Sequence, residues 1–282
     1  NRRLTVLFIF LSCVFMVSAK YSLLPKPMHV EKISGKFVFS EHTQIICSDS
    51  NLHPLAIQLN EMLKPAMGLD LLLPKSDNKS VIQLTQLKDN SETGKEGYQL
   101  KVTSHKIEIS ASHPAGFFYA FQTLLQLLPP QIYSSSVNEK IKWNVDGILI
   151  KDKPTFVWRG IMLDVSRQFF GIDFLKKYIN WMAANKLNVF HLHLSDDEGW
   201  RVEIKSLPKL TEIGSWRGPE EALPPVHGSG NQRYGGFYTQ AQLKELIEYA
   251  ANKYITIVPE IDLPGHSKSE AVSYPEILCL SN

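Results

Sequence analysis

Apolar and polar residues alternate in two neighbouring segments of the first half of the chain, Tyr98–Val102 and Lys106–Ser110. Because successive side chains of a β-strand point to opposite faces, this alternation predicts two strands that each have one solvated face. Ser104 and His105 lie between these segments and are predicted to form the turn of a hairpin.

Two helices are predicted in the same half of the chain. Apolar residues recur at helical spacing over 54–67, and Gly68 marks the end of that helix. The second helix is predicted over 114–128, because a proline opens it and Pro129 stops it. Together with other short β-rich runs, these elements indicate an α+β domain over residues 21–152.

After residue 152 the pattern changes to strands that alternate with helices. Strands are predicted at Gly160–Val165, which reads as buried, and at 188–194 and 255–259. Helices are predicted between them at 173–185 and from Thr239, where Gln242 completes a capping box, after a long loop over 195–238.

Alternating β and α units predict a parallel sheet over residues 154–282. A doubly wound sheet and a (β/α)8 barrel both fit this order of elements. No glycine-rich phosphate loop follows the first strand, which counts against a nucleotide-binding fold.

The N-terminal segment has the composition of a secretory signal peptide. Two arginines precede an apolar run that continues to Val17, and small residues up to Ala19 form a cleavage pattern. Residues 1–19 are therefore predicted to be removed, which leaves no membrane segment. An extracellular, periplasmic or lysosomal protein of the secretory pathway is expected, with lipid attachment at Cys13 as an alternative.

The charge and the cysteine content of the chain exclude two classes of function. The formal net charge is +2 and no block of basic residues occurs, so binding to nucleic acid is not expected. No cysteine and histidine spacing is typical of a zinc site, and no cofactor is indicated.

Ionisable residues follow each of the three strands predicted in residues 154–282. In either α/β architecture the carboxyl ends of the parallel strands meet at one edge, where ligands bind. The candidates for this site are Asp164, Ser166 and Arg167, then His193, Asp196, Asp197 and Glu198, then Glu260, Asp262 and His266.

Three of these candidates suit particular roles. Arg167 carries a planar fork of donors that can bind hydroxyls or a carboxylate. Asp196 can bind sugar hydroxyls or orient a histidine. His266, four residues after Asp262, can donate a hydrogen bond to a carboxylate and so tune the pKa of an acid.

A metal site is the alternative reading of the second strand. His191 and His193 are alternate residues, so their imidazoles share one strand face and could meet one metal ion. This H-x-H pair would fit a metal-dependent barrel hydrolase, although it follows the second strand rather than the first.

Four sequence segments within residues 154–282 resemble glycoside hydrolase family 20, the β-N-acetylhexosaminidases. Residues 159–167 (RGIMLDVSR) resemble the first barrel strand, and residues 185–197 (NKLNVFHLHLSDD) resemble the second strand and its loop. Residues 199–201 and 259–266 (PEIDLPGH) are also similar. The resemblance covers the chain from about Tyr21, because that family carries an α+β domain before its barrel.

The resemblance implies a fold and a reaction. The fold would be an α+β domain followed by an incomplete (β/α)8 TIM barrel, about its first three βα units. Family members remove terminal β-linked N-acetylhexosamine without a cofactor, and the substrate's own acetamido oxygen attacks the anomeric carbon. The implied partners are oligosaccharides or glycoconjugates that end in N-acetylhexosamine, and a homo-oligomer is compatible with the sequence.

Residue roles also follow from the resemblance. Arg167 matches an arginine that binds hydroxyls of the terminal sugar, and Asp262 matches an acidic residue near the catalytic aspartate. Asp196 and His266 match a pair that orients the general-acid glutamate and modulates its pKa.

The catalytic Asp-Glu pair of this family lies in an H-x-G-G-D-E motif, which does not occur in the sequence up to Asn282. We therefore expect the 282-residue chain by itself to be inactive. A carbohydrate-binding product without turnover is the alternative.

Overall fold

The computed structural model describes residues 22–74, 80–88, 93–226 and 228–278. The predicted signal peptide, with Cys13, lies outside the described residues. Within the described part of the chain, no helix is long and apolar enough to cross a membrane.

The first half of the described chain forms a mixed six-stranded sheet in the order β1-β6-β4-β5-β3-β2. Its strands are β1 (His29–Val38), β2 (Thr43–Cys47), β3 (Ser80–Gln86), β4 (Tyr98–Val102), β5 (Lys106–Ala111) and β6 (Asn144–Asp152). The predicted hairpin is confirmed, because β4 and β5 pair antiparallel with Leu100 opposite Ile109.

Two helices cover this sheet. They are α1 (His53–Met67) and α2 (Pro114–Leu127), within a residue of the predicted bounds. Gly68 ends α1 with a φ of 71°, a left-handed conformation that glycine adopts without a side-chain clash. The side chains of Phe117, Phe121 and Leu124 on α2 are fully buried and belong to the domain core.

The second half contains a sheet of three parallel strands among the described residues, in the order β13-β8-β7. The elements are β7 (Gly160–Asp164), α3 (Ile172–Ala184), β8 (Val189–His193), β9 (Ser195–Asp196), β10 (Gly199–Trp200), α4 (Lys209–Glu212), β11 (Trp216–Arg217), β12 (Tyr234–Gly235), α5 (Gln240–Ala251), β13 (Thr256–Glu260) and α6 (Lys268–Ser273). The helices α3 and α5 contact each other, and the predicted capping box of Thr239 and Gln242 opens α5. The strands run in parallel, so the residues that follow β7, β8 and β13 lie at one edge.

Two predictions for this half were wrong. Gly160–Val165 was predicted as a buried strand, but Ile161 and Met162 are 41% and 50% exposed. The reason is that β7 is an edge strand, which pairs only with β8 in the described part of the chain. The segment 195–238 was predicted as a loop, but it contains β9 to β12 and α4.

Buried and partly buried ion pairs connect the two halves. The Lys186 ammonium lies 2.9 Å from a carboxylate oxygen of Asp152 and 2.8 Å from the Tyr98 hydroxyl. Burial lowers the pKa of Lys186, and the Asp152 carboxylate opposes that effect. Arg159, at the start of the second half, pairs with Glu96 at 2.7 Å. These contacts fix the turn before β8, and therefore the strand that carries the candidate site.

Candidate active site

Asp164 shapes the end of β7 and holds Arg167 in place. One oxygen of its carboxylate accepts the backbone N–H groups of Ser166 and Arg167, each at 2.9 Å. This is a local turn of the kind that aspartate favours. The other oxygen lies 2.7 Å from Nη1 of the Arg167 guanidinium, so the turn and the ion pair orient the same arginine.

Asp196 is the centre of the site. Its side chain is only 1% exposed and has a partner from each of the three strand ends. One carboxylate oxygen lies 2.6 Å from Nη2 of Arg167 and 2.9 Å from Nε2 of His193. The other accepts the backbone N–H of Asp197 at 2.7 Å and lies 3.1 Å from Nδ1 of His266. Of the predicted site residues, Asp196 therefore contacts both Arg167 and His266.

The loop after β13 carries two of the predicted residues, Asp262 and His266. His266 has a φ of 55°, in the left-handed region, and its ring is 56% exposed although Nδ1 faces the buried Asp196. The half-buried Asp262 donates its backbone N–H to the Ser195 hydroxyl at 3.0 Å. A carboxylate oxygen of Asp262 lies within 4.8 Å of ligand atoms of both His193 and Asp196. The loop thus closes the site from the third strand.

Charges around Asp196 and His193 stabilise each other. Burial by itself would raise the pKa of the Asp196 carboxyl, but hydrogen bonds from Asp197 and His193 and the charge of Arg167 outweigh it and lower the pKa. Burial would likewise lower the pKa of His193, but hydrogen bonds to Asp196 and Glu260 outweigh it and raise the pKa. His193 thus lies between two carboxylates, and their negative charges favour its protonated form.

The H-x-H pair shares a carboxylate. Nε2 of His191 lies 2.5 Å from Oε2 of Glu260, and Nδ1 of His193 lies 3.0 Å from the same oxygen. Burial alone would raise the pKa of Glu260, but its contacts with both imidazoles lower it. Glu260 therefore contacts both imidazoles through one carboxylate oxygen.

Comparison with known proteins follows the division of the chain into two halves. Residues 156–282 match the family model described as glycosyl hydrolase family 20, catalytic domain. Residues 20–153 match the model described as glycosyl hydrolase family 20, domain 2. The chain belongs to glycosyl hydrolase family 20. The family resemblance inferred from the strand-end motifs is thereby confirmed.

Individual relatives agree with this family assignment. A beta-hexosaminidase of Vibrio furnissii is 41% identical over 261 residues, which is 93% of this chain and 40% of that protein. A beta-hexosaminidase of Porphyromonas gingivalis is 38% identical and covers 92% of this chain and 32% of its own length. The chain thus spans two fifths or less of these two relatives.

Solved structures of family 20 are also similar. The exo beta-N-acetylglucosaminidase from Vibrio harveyi, solved in complex with N-acetylglucosamine, superposes with a TM-score of 0.81 at 40% identity. The match covers 92% of this chain and 39% of that one. A beta-N-acetylhexosaminidase from Streptomyces coelicolor has a TM-score of 0.79 at 35% identity, over 91% and 49% of the two chains.

Sequence reasoning from the strand ends did not single out two buried arginines of this family 20 chain. Arg201 and Arg217 are fully buried. Arg201 donates to the carbonyl oxygens of Val165 and Ser215 at 2.9 and 2.7 Å, and so ties the end of β7 to the long segment after β8. Burial and the neighbouring Arg217 lower the pKa of Arg201 to about 10, which leaves it charged at neutral pH. The sequence signal that could have singled out Arg201 is its place in the run 199–201, which resembles the family.

The charges around His193 predict a pH dependence of stability. The folded pKa of His193 is raised, so its stabilising contribution is complete below the unfolded pKa of 6.5 and is lost as pH rises through the folded value. Asp196 has a lowered pKa, so its contribution is lost only as pH falls below 3.8. We expect the melting temperature to fall as pH rises above about 6.5, and His193→Gln to flatten this fall.

Thermal melts across this pH range measure the effect. His29→Gln is the matched control, because the ring of His29 is 54% exposed beside Glu31. It should leave the pH profile unchanged. A His193→Gln profile as steep as that of the unmodified protein would show that His193 is not the titrating group.

Proposed function

We propose that the intact protein is an exo-acting β-N-acetylhexosaminidase. It would hydrolyse terminal, non-reducing β-linked N-acetyl-D-hexosamine, with the 2-acetamido oxygen of the substrate as nucleophile and with retention of configuration. The observation that carries this proposal is the buried Asp196 carboxylate, joined to Arg167 and His266 at the carboxyl ends of parallel strands. The names of the family 20 relatives support the same activity.

Arg167 is proposed to bind hydroxyls of the terminal sugar. Its guanidinium has five N–H donors, and ion pairs to Asp164 and Asp196 hold the plane of the group. The side chain is 37% exposed, so the edge of the fork remains accessible from the strand ends. An arginine fixed in this way can bind a sugar without first losing side-chain entropy on binding.

Asp196 and His266 are proposed to position the general-acid glutamate, which the resemblance places beyond the described residues. Nδ1 of His266 faces the Asp196 carboxylate, which fixes the ring and leaves Nε2 for a second carboxyl. The pair would therefore act on the acid through one oriented imidazole. Asp262, on the same loop, is proposed to lie beside the acetamido group and its catalytic aspartate.

The fold that fits this function is a TIM barrel behind an α+β domain. Under this proposal residues 21–152 form the accessory domain, and residues 154–282 form about the first three βα units of the barrel. The unpaired edges of β7 and β13 in the described chain would then pair with further strands. The signal-peptide composition of residues 1–19 supports the proposal that the protein passes through the secretory pathway. The proposed binding partners are glycoconjugates that end in N-acetylhexosamine.

Three aryl glycosides test the proposed reaction. The intact protein should release nitrophenol from 4-nitrophenyl N-acetyl-β-D-glucosaminide or its galactosaminide. It should not act measurably on 4-nitrophenyl β-D-glucoside, because that substrate has no acetamido oxygen to attack the anomeric carbon. Similar rates on the glucoside would exclude substrate assistance, and no hydrolysis of either acetamido sugar would contradict the proposed function.

A further inference from the structure

Glu270 is a buried acid that lies next to the site. The proposed reaction does not use it. It lies on α6, whose residues contact β9 and β10, and it is only 4% exposed. A glutamate is rarely buried to this extent unless a partner compensates its charge. The neighbours of its carboxyl group therefore decide whether it is ionised.

The hydrogens around Ser269 indicate that Glu270 carries a proton. The Ser269 hydroxyl oxygen lies 2.8 Å from the backbone carbonyl oxygen of Asp196 and 2.8 Å from Oε2 of Glu270. A serine hydroxyl has one hydrogen to donate, and a carbonyl oxygen cannot donate. Both contacts are full hydrogen bonds only when Ser269 donates to Asp196 and a protonated Glu270 donates to Ser269.

The electrostatic surroundings favour the same state. Oε1 of Glu270 is buried and makes no hydrogen bond of ordinary geometry to the described residues. The negative charge of Asp197 opposes ionisation of the carboxyl. Burial raises the pKa of Glu270 more than the Ser269 hydroxyl, the residue's own amide and the Ser195 hydroxyl lower it. An ionised Glu270 would thus be a buried charge with no ion pair to a cation among the described residues.

We propose that Glu270 is a positioning residue that stays protonated at neutral pH and, through Ser269, fixes the backbone of Asp196. The donation runs from Glu270 to Ser269 and from Ser269 to the Asp196 carbonyl. A fixed backbone at Asp196 also fixes the position from which its carboxylate contacts Arg167, His193 and His266. The catalytic consequence of this role rests on the proposed hydrolase function.

Two substitutions in the intact protein separate the neutral acid from its alternatives. Glu270→Gln keeps a donor and an acceptor without a charge, so kcat should stay within about threefold of the unmodified protein. Glu270→Leu removes the donor, and a lost buried hydrogen bond should lower kcat by about 10- to 100-fold with KM little changed. Glu276→Gln, at an exposed glutamate, is the matched control and should have no effect.

Two spectroscopic readouts do not require activity. Infrared difference spectra at pH 7 should show the carbonyl band of a protonated carboxyl that disappears in Glu270→Gln but persists in Glu276→Gln. The ring ¹⁵N shifts of His266, which report its contact with Asp196, should move in Glu270→Leu and not in Glu270→Gln.

The outcomes distinguish this proposal from the proposed function. Absence of glycosidase activity in the unmodified protein would contradict the function, while the infrared band and the His266 shifts would still decide the state and role of Glu270. A missing carboxyl band, or a Glu270→Gln variant that loses as much kcat as Glu270→Leu, would overturn the neutral positioning acid. Unchanged His266 shifts and kcat in a folded Glu270→Leu protein would overturn its positioning role.

Discussion

Replacing Arg167 with alanine should lower kcat/KM of the intact protein for an aryl N-acetyl-β-D-glucosaminide by about a thousandfold. The substitution removes the proposed sugar-binding donors and also leaves the buried Asp196 without its 2.6 Å ion pair. Breaking a buried pair by removing one partner is costly, because the remaining charge stays desolvated. Steady-state kinetics with the aryl substrate measure the loss.

Two variants make this test specific. Arg167→Lys keeps the charge but not the planar fork that reaches Asp164 and Asp196 together, so its activity should lie between those of Arg167→Ala and the unmodified protein. Arg233→Ala is the control, because Arg233 pairs with Glu221 at 2.6 Å but is 52% exposed. It should change kcat/KM by less than about threefold. An Arg167→Ala variant as active as Arg233→Ala would remove Arg167 from the site.

Asp196→Asn should lower kcat by at least about a hundredfold and also destabilise the fold by about 3–5 kcal/mol. Asparagine has nearly the same shape, but its amide cannot neutralise the cations of Arg167 and His193. The imidazole of His266 would also lose the charge that orients it. Chemical denaturation and kinetics on the same preparation measure the two effects together.

The adjacent Asp197→Asn variant is the matched control. Asp197 is less buried than Asp196, and its carboxylate accepts the backbone N–H of Lys268, which an asparagine oxygen also accepts. It should therefore retain most activity and stability. Equal losses in Asp196→Asn and Asp197→Asn would mean that the central role assigned to Asp196 is wrong.

The convergence of the strand-end side chains was predictable from the sequence because it depends on a local rule. Parallel strands deliver the residues that follow them to one edge, so Arg167, Asp196 and His266 could be grouped before any contact was known. In the structure both Arg167 and His266 lie beside the Asp196 carboxylate, while their roles in a reaction stay a prediction. The hairpin of β4 and β5 and the bounds of α1 and α2 were predictable for a similar reason, because periodicity and end signals are local.

The sequence did not predict the features that depend on three-dimensional neighbours. An apolar strand such as β7 reads as buried, but its exposure depends on what pairs with its outer edge. The contact of Glu260 with both His191 and His193 could not be predicted, because Glu260 comes from another strand. The state of Glu270 depends on one serine hydrogen and on burial, neither of which leaves a pattern in the sequence.

The most direct test of the proposed hydrolase is to identify the anomer of the sugar first released from 4-nitrophenyl N-acetyl-β-D-glucosaminide, which yields a single N-acetylglucosamine per cleavage. Proton NMR during the first minutes of reaction with the intact protein distinguishes the two anomers of the released sugar. We expect N-acetylglucosamine released as the β anomer, because attack by the acetamido oxygen and then by water inverts the centre twice. Initial release of the α anomer, or no release of N-acetylglucosamine, would contradict the proposed function.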